Sequence, residues 1–171
     1  MDKAQLAQRI KAVAYLEGDF VLRSGKRSKY YLDKYLFETQ PDILAELGRC
    51  FARHAGGVDV IAGPELGAVA LAAATSMACG KPFALVRKAA KGYGTDKLIE
   101  GAPVAGKKVL LVEDICTTAG AALEAAKTLT EAGAKIELMA FAIDRMEGGQ
   151  KNVQDAGYNF LALLTKADLG I

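Results

Sequence analysis

Tryptophan is absent from these 171 residues, histidine occurs once and proline four times. The lone His54 and the scattered Cys50, Cys79 and Cys116 form no CxxC pair and no Cys/His metal-ligand spacing. An odd set of unpaired cysteines suits a reducing compartment. No charge of one sign dominates: 22 Lys and Arg against 20 Asp and Glu leave +2. That balance makes no case for a nucleic-acid surface. Long apolar runs are missing too. The longest uncharged stretch, Leu66 to Gly80, has 15 residues, is rich in Ala and Gly, and is too short to span a bilayer. Met1 to Gln5 is polar and lacks the apolar core of a signal peptide. These absences predict a cytoplasmic protein that works without membrane or nucleic acid.

The chain does have an ordinary globular balance of 51% apolar and 25% charged residues. Its length fits one domain over 1–171. Leu6, Ile10, Val13 and Leu16 recur at helical spacing and predict a helix over 3–17. Phe20-Val21-Leu22 and Tyr30-Tyr31-Leu32 read as short strands around a basic turn. Helices are predicted over 41–55, to Cys79 from the Ala-rich run, over 120–132 and over 149–156. Strands are predicted over 58–62, 83–86, 107–112, 136–143 and 158–164. Strands alternating with helices mean an α/β fold around a mostly parallel sheet.

Ligands of such sheets sit at the carboxyl ends of the strands. Three predicted strand ends carry unusual residues. One is Gly63-Pro64-Glu65-Leu66-Gly67. A second is the charged loop from Arg87 through Lys88, Lys91 and Tyr93 to Lys97, which has no apolar period. The third is Val109 to Ala121, in which a buried strand leads into Glu113-Asp114 and then Ile115-Cys116-Thr117-Thr118-Ala119-Gly120-Ala121. A turn of small residues at a helix start presents backbone N–H groups to a phosphate. Carboxylates beside it would repel a bare phosphate, but they suit sugar hydroxyls or a nearby divalent cation. The third segment therefore reads as a ribose-phosphate site, against the alternative of a plain strand-to-helix turn capped by Asp114 or Thr117. Two superficial matches fail. Gly101 to Lys108 has lysine where a P-loop needs Ser or Thr, and it precedes a strand. No GxGxxG opens a helix after a strand.

Val109 to Ala121 resembles the phosphoribosyl-diphosphate (PRPP) motif of the type I phosphoribosyltransferases. Three further segments narrow the resemblance to orotate phosphoribosyltransferases. Phe20 to Gly25 with Ser28, Tyr30 and Tyr31 is similar to the family's orotate-side segment. Arg87 to Lys91 is similar to its catalytic loop, and Asp144 to Gly149 to its later substrate segment. The four occur in the family's order across 16–165. The resemblance implies a type I phosphoribosyltransferase fold with a small N-terminal hood at 1–35. It also implies transfer of phosphoribose from PRPP to orotate, Mg2+ held mainly by PRPP and close to Glu113 and Asp114, and a homodimer with shared sites.

Residue by residue, the resemblance assigns PRPP to Glu65, Leu66, Gly67, Arg87, Lys88, Lys91, Tyr93 and Glu113 through Ala121. Lys88, Lys91 and Asp114 are the expected catalytic set. Arg23, Tyr31, Thr117 and Arg145 are expected on orotate. Tyr93 stands where the family commonly has histidine, and Ala119 stands at the first glycine of its turn. Ala121 replaces a usual Ser or Thr. Cys116 sits inside the cradle, where oxidation would inhibit, but nothing marks it as a catalytic nucleophile. Two alternatives remain: a purine or uracil phosphoribosyltransferase, and a non-catalytic PRPP-binding regulator.

Overall fold

The computed structural model describes residues 1–21, 25, 27–89 and 97–171. Helix α1 (Lys3–Ala14) opens with a reciprocal cap. Asp2 accepts from the Gln5 backbone at 2.8 Å, and the Gln5 side chain accepts from the Asp2 N–H at 2.9 Å. It ends three residues earlier than the periodicity predicts. Tyr15 and Leu16 turn extended and pair with Leu32 and Tyr31, so β1 (Tyr15–Val21) and β2 (Arg27–Leu32) form a separate antiparallel ribbon. The short helix α2 (Lys34–Glu38) follows, begun by Asp33, whose side chain accepts from the Tyr35 N–H at 3.0 Å. The sequence pattern does not reveal this helix, because its five residues span too little chain to show a 3.6-residue period.

After α3 (Pro41–Ala52), strand and helix alternate: β3 (Val60–Pro64), α4 (Ala68–Cys79), β4 (Phe83–Val86), β5 (Ile99–Gly101), β6 (Lys108–Cys116), α5 (Gly120–Glu131), β7 (Lys135–Asp144), α6 (Gly149–Asp155) and β8 (Phe160–Thr165). The main sheet runs β5-β4-β3-β6-β7-β8, with only the edge pair β4–β5 antiparallel. Pro64 is tolerated in a central strand because β6 pairing stops at Ala62, so its missing N–H breaks no ladder bond there.

Alternate residues of β6 build two apolar layers. Leu110 and Val112 join Ile43, Phe51, Ile61 and Leu71, while Val109 and Leu111 join Ala122, Ala125, Ala126 and Leu129 on the α5 side. Each such large side chain contributes about 1.5–3 kcal/mol when withdrawn from water. Strand β6 also runs four residues past the predicted end at Val112. Its pairing with β7 continues to Cys116 opposite Asp144. The acidic pair therefore lies within the strand and is held by the sheet.

Candidate active site

The carboxyl ends of β3, β4, β6 and β7 lie along one edge of the parallel sheet, and most of the sequence-predicted segments leave from there. The turn after β3 carries Glu65, whose Oε1 accepts the Lys88 backbone N–H at 2.8 Å. Its Oε2 lies 3.9 Å from the Arg87 guanidinium. The ends of β3 and β4 are thereby joined, and Glu65, Arg87 and Lys88 are neighbours. Leu66 stands out at 66% exposure. Gly67 is buried at the start of α4, and its missing side chain has a clear reason. A Cβ there would sit 1.8 Å from Asp114 Oδ2 and 2.6 Å from Lys34 Nζ.

Asp114 is the meeting point. Its carboxylate is buried and accepts from Lys34 Nζ at 2.6 Å on Oδ2 and from the Ile115 N–H at 2.5 Å on Oδ1. Lys34 comes from α2, 80 positions away in the chain. Burial draws its ammonium down, but the charge of Asp114 and the bond to it outweigh that, and Glu113 adds to them, so the net shift is upward. Glu113 is also buried. Desolvation first, and the charge of Asp114 second, push its carboxyl up to about 8. Glu38, one turn along α2 from Lys34, is pushed up to about 9 by burial and then by Asp114. Three carboxyls thus crowd one ammonium, and burial favours the neutral form of two of them, Glu113 and Glu38. Sequence reasoning missed Lys34 and Glu38. No local pattern links α2 to Asp114, because Lys34 lies 80 positions away in the chain.

Beyond β6, Thr117 is half-buried, while Thr118, Gly120 and Ala121 are exposed at the start of α5. Ala119 takes φ 62°, ψ 16°, the left-handed conformation that glycine adopts freely, and keeps the turn in a glycine-like shape despite its Cβ. The turn is braced from behind. Asn152 donates to the Thr118 carbonyl at 3.0 Å, and the Arg145 N–H donates to the Cys116 carbonyl at 2.9 Å. Gly149 leaves no room for a Cβ, which would lie 2.2 Å from Cys116 Sγ. Cys116 itself is fully buried. Desolvation, followed by the charges of Asp144, Glu113 and Glu147, pushes its thiol up to about 12. A buried thiol with so little thiolate character is poorly reactive.

On the expected base side, Tyr31 is 41% exposed and packs against Phe20 with ring centroids 5.6 Å apart. Tyr30 stacks instead on Tyr15 at 5.5 Å, so the ribbon separates the two tyrosines as strand alternation requires. The Arg145 guanidinium lies 3.1 Å from Glu147. Arg23, Lys91 and Tyr93 lie outside the described residues.

Residues 37–158 match the family model of the phosphoribosyl transferase domain. The chain is 46% identical over 153 residues to the orotate phosphoribosyltransferase of Methanocella arvoryzae, covering 89% of this chain and 87% of that one. It is 44% identical over 167 residues to the one from Nocardioides sp., covering 97% and 93%. The chain belongs to the orotate phosphoribosyltransferase family. The fold agrees. The crystal structure of Mycobacterium tuberculosis orotate phosphoribosyltransferase in complex with PRPP superposes with a TM-score of 0.86 at 30% identity over the whole of both chains. The type I phosphoribosyltransferase fold expected from the PRPP motif is therefore this chain's fold. In this member of the orotate phosphoribosyltransferase family the PRPP-like motif spans a strand end, a turn and a helix start.

Proposed function

We propose that this chain transfers phosphoribose from PRPP to orotate, giving orotidine 5′-monophosphate and diphosphate. The carrying observation is the convergence on Asp114 of three distant segments: the Gly67 turn, the end of β6, and Lys34 behind the N-terminal ribbon. The bond from the ribose C1 to diphosphate breaks and a bond to the ring nitrogen of the base forms. The transition state is oxocarbenium-like, so no nucleophilic side chain is required. The protein's share is positioning, charge stabilisation and exclusion of water.

In this reading Asp114 and Glu113 receive the ribose hydroxyls. The turn from Ile115 to Ala121 holds the 5′-phosphate on its N–H groups and threonine hydroxyls. Glu65 to Gly67 face the diphosphate, Arg87, Lys88 and Lys91 neutralise it as it departs, and Tyr93 donates a hydrogen bond to it. Arg145, Arg23, Tyr31 and Thr117 take the base, with the planar fork of Arg145 suited to a carboxylate. Among the described residues no group of three His, Cys, Asp or Glu side chains could cage a metal. Asp114 is already engaged by Lys34. This donor set fits Mg2+ carried in on PRPP oxygens and water, where it would offset diphosphate charge. The working form is proposed to be a cytoplasmic homodimer.

The test is to supply the protein with PRPP, Mg2+ and each base in turn. Orotate should be consumed, with nucleotide and diphosphate formed, only when PRPP and metal are both present. Turnover of hypoxanthine or uracil with none of orotate would overturn the base assignment.

A further inference from the structure

We propose that Lys34 and Glu38, one turn apart on α2, are positioning residues that hold the Asp114 carboxylate in place for the ribosyl substrate. The proposal rests on the reading of Asp114 as a PRPP contact. No motif in the sequence points to α2, and none of the residues expected to bind PRPP or orotate lies on it.

The geometry is specific. Asp114 has two oxygens with about four lone-pair positions. The Ile115 N–H occupies one on Oδ1, and the Lys34 ammonium occupies one on Oδ2. Gly67 closes over the pair so tightly that a single added carbon would strike both partners. Glu38 is only 4% exposed, and its Oε1 lies buried without a hydrogen-bonding partner among the described residues. Burial, followed by the charge of Asp114, raises the Glu38 carboxyl and so favours its neutral form, with Lys34 and Glu113 as its other charged neighbours. A neutral acid beside a carboxylate adds a donor without adding charge. A lysine beside it cancels the charge that would otherwise repel an incoming phosphate-rich ligand.

The helix that carries both residues is itself fixed. Asp33 caps its first turn, and Phe37 is completely buried in the apolar layer shared with α1 and α3. Lys34 and Glu38 therefore approach Asp114 from a braced base, as a preorganised site requires. Loss of either would let the carboxylate rotate or draw in water. That would weaken a contact made by the ribose, while leaving the base-binding side untouched.

The experiment measures PRPP binding by calorimetry with Mg2+ present and no base, together with KM for each substrate and a melting curve for every variant. Lys34→Met should weaken PRPP binding about tenfold or more, as expected for a charge-assisted contact, with the orotate KM within about twofold. Lys34→Arg keeps the charge and should recover most of that affinity. Glu38→Leu should lose PRPP affinity, and Glu38→Gln, which still donates, should recover it. Folded Lys34→Met and Glu38→Leu proteins with wild-type PRPP affinity would overturn the proposal. So would equal losses for both substrates, or Gln and Arg variants as impaired as Leu and Met. Should Lys34→Met fail to fold, the Glu38→Leu and Glu38→Gln comparison decides. A wild-type protein that binds no PRPP would overturn the functional reading itself, and this proposal with it.

Discussion

At the scale of single residues, close approach and buried charge decide most outcomes. Gly67 has no spare volume above the Asp114–Lys34 pair, whereas a methyl carbon added at Gly57 would meet nothing within 4 Å. Gly67→Ala should cost about 1–3 kcal/mol by overpacking and should sharply reduce PRPP use. Gly57→Ala should leave both unchanged, and urea unfolding with PRPP kinetics on the two variants checks this. Glu46 makes a different case. It is buried, yet its carboxyl is held below the ordinary glutamate range, first by the hydrogen bond from Arg49 at 2.5 Å and then by the terminal ammonium at 3.0 Å. A carboxyl depressed in the folded state adds stability above its unfolded pKa and loses it as pH falls through the folded value. Glu46→Gln should therefore destabilise by about 1–3 kcal/mol at pH 7. The gap should close as pH falls below the ordinary glutamate range and the wild-type side chain also becomes neutral. A gap that stays constant across that range would show that packing, not charge, is responsible.

At the scale of elements, the caps of α1 and α2 offer a controlled contrast. Each helix begins at an aspartate that accepts a backbone N–H, Asp2 for α1 and Asp33 for α2. Replacing either with alanine should cost about 0.5–2 kcal/mol. Only Asp33→Ala should also weaken PRPP binding, because only α2 carries a side chain to Asp114. Equal PRPP affinity in the two variants would detach α2 from the site. The same elements explain what is legible in the sequence. The near-continuous apolar runs in β6 and β7 and the Ala-rich run of α4 have the lengths and compositions that identify their type. The five residues of α2 and the three of β5 are too short for a helix or strand period to register. The end of β6 escapes the sequence pattern for another reason. Glu113 and Asp114 look like the start of a loop, and only the ladder to β7 and the groups of Lys34 and Glu38 make two adjacent acids acceptable inside a strand. Lys34 is 80 positions from Asp114 in the chain, so no local pattern could announce it.

At the scale of the whole molecule, the question is how one chain completes its site. β4 and β5 form the outer edge of the sheet, and the segment between them leaves from that edge. Arg87 N–H donates to the Leu98 carbonyl at 2.8 Å and closes its base, with Lys88 exposed just beyond. Asp114 lies inward, on a central strand. The resemblance to the orotate phosphoribosyltransferases implies a homodimer with shared sites. We therefore expect Lys88 to act in the partner's site and Asp114 in its own. Lys88→Ala and Asp114→Asn proteins should each be nearly inactive alone. Mixed under conditions that exchange subunits, they should recover activity. With random pairing half of the dimers are mixed, and each mixed dimer has one intact site and one carrying both lesions. The expected recovery is about a quarter of wild-type activity for a closed two-fold dimer. Mass-resolved subunit exchange supplies the independent check. Exchange without recovery would place Lys88 in the same subunit's site as Asp114, or show that the active species is not a dimer of this kind.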